Sequence, residues 1–125
     1  MAFRCPQCKT TDSLEIMTSI ELPPDYRSTD ISLQVVECSL CPFRGLAVYE
    51  EPRLGRREAS HHTGYWVSPD AVEAVLTAIQ ACPDRYNPRC QCRIHCVLGQ
   101  ADPYGPWRGL LEMERSHTFT MRMAV

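Results

Sequence analysis

The chain has 125 residues, of which 44% are apolar and 22% charged, with eight cysteines and ten prolines. That length suits one ordinary domain or two small modules burying roughly two-thirds of the unfolded surface, and it excludes collagen-like and coiled-coil architectures. Thirteen basic against fifteen acidic residues give a formal charge of -2, which is not the balance of a strongly basic nucleic-acid binder. Lys9 is the one lysine among those cations, and the other twelve are arginines. The opening Met1-Ala2-Phe3-Arg4-Cys5 has no charged-then-apolar signal region, and no stretch approaches the 18 or so apolar residues of a membrane span. A cytoplasmic protein with no membrane partner is expected. Cysteines in a reducing compartment are more often metal ligands than disulfides.

Along the chain, Leu14, Ile16, Thr18, Ile20 and Leu22 alternate with polar residues and Met17, a period of two that predicts a half-buried strand. Ile31, Leu33 and Val35 repeat the pattern after the proline-led loop from Pro23 to Asp30, and a third strand is expected at Leu46 to Glu50. The stretch from Glu51 to Ser60 has neither periodicity nor much apolar content. It predicts a linker, with a module boundary near Gly55.

Ser68-Pro69-Asp70 is a helix start: Ser as N-cap, Pro at the first helical position, and Asp where the dipole favours an anion. Val72, Val75, Leu76 and Ile79 form an apolar stripe, and Cys82-Pro83 ends the helix. The segment Asp102 to Trp107 is dense in turn formers. From Leu111 and Met113 to His117, Phe119, Met121, Met123 and Val125 the odd positions are mainly apolar, predicting one strand or a hairpin broken near Arg115-Ser116. The methionine and aromatic stripe is assigned to packing.

Cys5-Pro6-Gln7-Cys8 and Cys38-Ser39-Leu40-Cys41 are two C-x-x-C turns separated by 29 residues that read as a hairpin. Two residues between cysteines let both sulfurs converge on one ion, and two such turns supply the tetrahedral four-thiolate set that zinc accepts. Four ligands close the coordination sphere, so a structural role is expected. On these knuckles residues 1–52 resemble the zinc-ribbon superfamily, whose members hold paired knuckles at the ends of a small antiparallel sheet. The resemblance implies Cys5, Cys8, Cys38 and Cys41 as ligands, with Phe43-Arg44-Gly45 opening the returning strand. Lys9 and Pro42 occupy positions where glycine commonly follows the knuckle. Because zinc ribbons serve many functions, the resemblance implies architecture and leaves function open.

A second cluster, Cys82, Cys90, Cys92 and Cys96, spans fifteen residues, with His95 as a possible substitute ligand. A second zinc is the first choice on ligand count and softness, which would make two ions per chain. An iron-sulfur cluster and a redox-active Cys90/Cys92 dithiol are the rivals. Arg85, Arg89 and Arg93 either balance the thiolate charge or form a phosphate patch. His61 and His62 are a solvated linker pair, extra ligands, or a separate site.

The fold class is therefore α+β: a small antiparallel zinc-ribbon sheet (1–54), a linker with a possible short strand (55–67), and a module with one amphipathic helix, a Cys-rich metal loop and C-terminal β-strand(s) (68–125). No H-E-x-x-H, P-loop, dinucleotide fingerprint, nucleophile elbow or zinc-deaminase motif is present, and no catalytic residue is assigned. A non-catalytic accessory or adaptor protein is expected, binding a protein partner through Trp66, Trp107, Tyr65, Arg56 and Arg57, the first three being aromatic anchors in or beside turns. The alternatives are a nucleic-acid-binding factor using Arg53, Arg56 and Arg57 near Tyr49 with Phe43-Arg44, and a redox or metal enzyme using the second cluster.

Overall fold

The computed structural model describes residues 2–22, 29–52, 61–98 and 117–122. Its elements are β1 (Ala2–Phe3), β2 (Leu14–Leu22), β3 (Thr29–Cys38), β4 (Arg44–Pro52), β5 (His61–Trp66), α1 (Pro69–Ala81), α2 (Arg93–Leu98) and β6 (His117–Thr120). The six strands form one antiparallel sheet in chain order, each paired with its sequence neighbour. The class is α+β or mainly β, an antiparallel sheet with one long helix packed on it. The boundary expected near Gly55 lies among residues 53–60, outside the described residues, and β5 from the expected linker region pairs with β4.

Alternation gives the sheet two faces. Ile31, Leu33 and Val35 of β3 and Leu46 and Val48 of β4 point to one side, where they pack with Tyr65 and with Val72, Ile79 and Cys82 from α1 and its C-terminus. Phe3, Leu14, Val36, Ala47, Phe43 and Met121 form a second core on the other side, together with Cys5 and Cys38.

Strand β2 serves both cores, which its simple alternation does not reveal. Ile16 pairs with Val36 and Thr18 with Val35, so Met17 is an extra residue in the ladder. Such a bulge rotates the strand by one side-chain position. Leu14 therefore faces the second core while Ile20 and Leu22 face the helix. The single apolar stripe read from the sequence is two stripes joined at Met17.

Helix α1 follows its signals. Ser68 Oγ accepts the Ala71 N–H at 3.2 Å, Asp70 lies in the first turn, and the Cys82 N–H closes the last turn on the Ile79 carbonyl. The Cys-rich segment is partly helical, because α2 carries His95, where a loop was expected. Of the expected C-terminal strand, residues 117–120 form β6, whereas 111–116 and 123–125 lie outside the described residues, as does the turn at 102–107. Among the described residues no helix is long and apolar enough to cross a membrane.

The sheet curls toward the second core. The Arg4 N–H just beyond β1 donates to the Arg122 carbonyl just beyond β6 at 2.8 Å, so first and last strands meet at one end. The Phe3 ring accordingly lies edge-on to His62 of β5, with centroids 5.1 Å apart. Close approach inside this curl explains Gly64: a Cβ there would run into the Phe119 ring on β6.

Candidate metal centres

The first knuckle connects β1 to β2 and the second connects β3 to β4, so the meander brings both turns to one end of the sheet. Lys9 follows the first knuckle with φ of 64°, the left-handed conformation that glycine usually supplies, and its N–H donates to the Cys5 carbonyl at 3.1 Å. The Ser39 N–H donates to the Ser13 carbonyl at 2.9 Å, tying the two turns together.

The ligand atoms of Cys5, Cys8, Cys38 and Cys41 lie within 4.8 Å of one another. Cys5 and Cys41 sulfurs are 3.6 Å apart, and those of Cys8 and Cys38 are 3.8 Å apart. Zinc-sulfur bonds of about 2.3 Å at the tetrahedral angle separate the sulfurs by about 3.8 Å, so the cage has the size of a tetrathiolate. A disulfide needs about 2.05 Å, and none of the seven cysteines with described side chains forms one.

The four thiols differ in acidity. Burial pushes Cys5 up to about 12. Cys8 is drawn down to about 6, first by the Thr10 side chain and then by the Thr10 N–H. At Cys38 burial acts upward but is outweighed by Ser13 and by the Leu40 and Cys41 N–H groups, leaving it below its ordinary value. Cys41 is raised: the Phe43 N–H acts downward and is outweighed by burial and the neighbouring Cys38. A metal entering this set must displace protons, which couples its affinity to pH.

The second centre joins α1, the 82–92 loop and α2. Cys82, Cys90, Cys92 and His95 place their ligand atoms within 4.8 Å of one another. Cys82 Sγ is 3.8 Å from Cys90 Sγ, 3.5 Å from Cys92 Sγ and 3.3 Å from His95 Nδ1. A tetrahedral zinc with sulfur and imidazole ligands puts S and N about 3.6 Å apart. The structure thus assembles His95, the substitute, with three of the expected cysteines; Cys96 lies in α2 with its side chain outside the described residues. Burial pushes Cys82 up to about 11.

His95 is fully buried, and its other ring nitrogen, Nε2, meets the Glu21 carbonyl oxygen at 2.5 Å. A carbonyl only accepts, so Nε2 carries the proton and the Nδ1 lone pair faces the sulfurs. This is how proteins orient metal-binding imidazoles, by giving the remote N–H an oxygen partner. The Glu21 N–H in turn donates to the Arg85 carbonyl at 2.8 Å. Both outward backbone groups of Glu21 are thus taken up by the Cys82–His95 segment, which clasps β2 where the two-residue β1 is too short to cover it. No side-chain motif marks Glu21, because its contribution is entirely backbone.

Other expected site residues are dispersed. Tyr65 is only 4% exposed and belongs to the core, which corrects its reading as a docking residue: β4 pairing turns it inward against Leu46. Trp66, its outward neighbour, is 36% exposed and borders a groove of about 270 Å³ with Gln7, Pro42, Phe43, Val67 and Pro69. Phe43 is buried edge-on against Trp66 and Phe119, and the partly exposed Arg44 is paired with Glu73 at 2.5 Å and Glu37 at 3.7 Å. Trp107, Arg53, Arg56 and Arg57 lie outside the described residues. His61 and His62 belong to neither donor set; His62 Nε2 bonds Gln34 Oε1 at 2.6 Å. No protein-family model, no curated protein and no solved structure matches the chain.

Proposed function

We propose that this chain is a non-catalytic zinc-binding adaptor of the cytoplasm, with a ribbon-like knuckle pair at the first centre, two zinc ions per chain, and a protein partner docking beside Trp66. The observation that carries the reading is that each donor group already contains four soft or borderline ligands at tetrahedral spacing. A zinc ion held by four protein ligands has no position left for water or substrate, which favours a structural role over hydrolysis. The mixed Cys3His set at the second centre favours zinc over an iron-sulfur cluster, which is generally held by thiolates alone. Trp66, with the Pro42 and Val67 groove beside it, supports the docking part, since exposed aromatic side chains next to a recess are common interface anchors.

Native mass spectrometry tests the metal part, with two zinc ions per chain as the expected result. One zinc with iron, or with an unmetallated dithiol at the second cluster, would replace the adaptor by a redox protein. For the docking part, Trp66→Ala should weaken a pulled-down complex while leaving the zinc count unchanged, and an unaltered complex would remove Trp66 from the interface.

A further inference from the structure

Arg4, Lys9 and Arg122 converge on one open pocket of about 400 Å³ at the knuckle end of the sheet, with Cys5, Pro6, Phe119 and Thr120 completing its wall. The convergence is built by the backbone. The Arg4 N–H to Arg122 carbonyl bond sets the two arginines side by side, and the left-handed turn at Lys9 brings the third cation to the same recess. Like charges on neighbouring strands repel. Among the described residues none of the three pairs with a carboxylate and no acidic residue lines the pocket, although acidic residues outnumber basic ones in the chain.

An oxyanion relieves that repulsion. Two guanidinium forks and one ammonium match a phosphate group, because arginine donates two parallel N–H bonds to it and lysine adds a point charge. A zinc tetrathiolate next to Cys5 carries a formal charge of -2, which two of the cations would offset, leaving the recess net positive. We infer that Arg4, Lys9 and Arg122 form a phosphate-binding site, occupied either by a free phosphate group or by the phosphodiester backbone of a single-stranded nucleic acid. The site goes beyond the adaptor reading and shares no residue with the Trp66 groove.

The test uses the zinc-loaded full chain and two probes, inorganic phosphate and a labelled single-stranded oligonucleotide. Titration followed by amide chemical shifts should move Arg4, Lys9 and Arg122 before other residues. Three phosphate contacts predict a slope of about -2 in log affinity against log salt for the oligonucleotide, roughly a 20-fold loss between 50 and 200 mM. Arg4→Gln with Arg122→Gln should reduce the slope to about -0.7 while both zinc ions remain. Binding of the oligonucleotide with that slope identifies a nucleic-acid backbone; binding of phosphate alone, lost in the double variant, identifies the free group. The inference is overturned if neither probe binds at low salt, if the shifts cluster elsewhere, or if the double variant binds as before. Loss of zinc from a folded double variant would also overturn it, since the cations would then serve the thiolates.

Discussion

Replacing His95 separates the two tasks that the structure gives this one side chain. In His95→Cys a fourth thiolate can still close the second centre, but the Nε2–H bond to the Glu21 carbonyl is gone. A carbonyl deprived of its partner costs about 1–3 kcal/mol. For a chain of this size that is a fall in Tm of roughly 3–15 °C. His95→Ala removes ligand and bond together, so the zinc count should fall from two to one as well. The assay pairs native mass spectrometry with guanidinium unfolding at fixed zinc concentration, because bound metal shifts apparent stability by mass action. If His95→Ala kept both zinc ions, the assignment of His95 as ligand would fail. If His95→Cys kept its zinc and unfolded like the wild type, the clasp on β2 would contribute nothing and the reasoning from Nε2 would be refuted.

Four further outcomes follow from the packing and the charges. Gly64→Ala should cost about 1–3 kcal/mol by overpacking against the Phe119 ring, and Phe119→Leu should recover part of it; a neutral single variant by thermal unfolding would count against the curl. Ile79→Ala, at a fully buried position of α1, should cost about 2–5 kcal/mol by denaturant titration without changing the zinc count. Burial holds His62 below its ordinary 6.5, so its unfolded form binds protons first as pH falls. Its contribution is complete above that value and is lost as pH drops through the folded value; His62→Gln should therefore show a shallower fall in stability on acidification than the wild type. Stripping zinc with a chelator should abolish the cooperative unfolding transition, and a chelated chain with the wild-type midpoint would show that neither ion supports the fold.

What the sequence made legible was whatever side chains announce at short range. The C-x-x-C pairs pointed to the four sulfurs that the fold gathers at the first candidate centre because a knuckle is a local turn, and Ser68-Pro69-Asp70 marked the start of α1 because caps are local too. The second cluster was legible from its cysteines with His95 as an option, but what places His95 beside Cys82, Cys90 and Cys92 was not, since it is held by Glu21, 74 positions away, through a carbonyl that no residue type advertises. The β2 bulge was hidden for a related reason: Leu14, Ile16, Ile20 and Leu22 keep even spacing across Met17, and only the β3 register shows that the strand changes faces there. Strand β5 mixes the strand formers Thr63, Tyr65 and Trp66 with Gly64 and two histidines, which is why the sequence offered it only as a possible short strand; pairing on both sides and Tyr65 in the core hold it in the sheet.

The contact between the chain beyond β1 and the chain beyond β6 has a consequence for the order in which the molecule forms. Each strand pairs with its neighbour in sequence, so most of the sheet can grow hairpin by hairpin with short loop closures. The Arg4 to Arg122 bond joins opposite extremes of the described chain and brings the largest loss of chain entropy. It should therefore be the last step of folding and the first to open in the native state. Hydrogen exchange would register it as a seam: the Arg4 amide should exchange well ahead of the β3 amides, which lie between two long partner strands in the centre of the sheet.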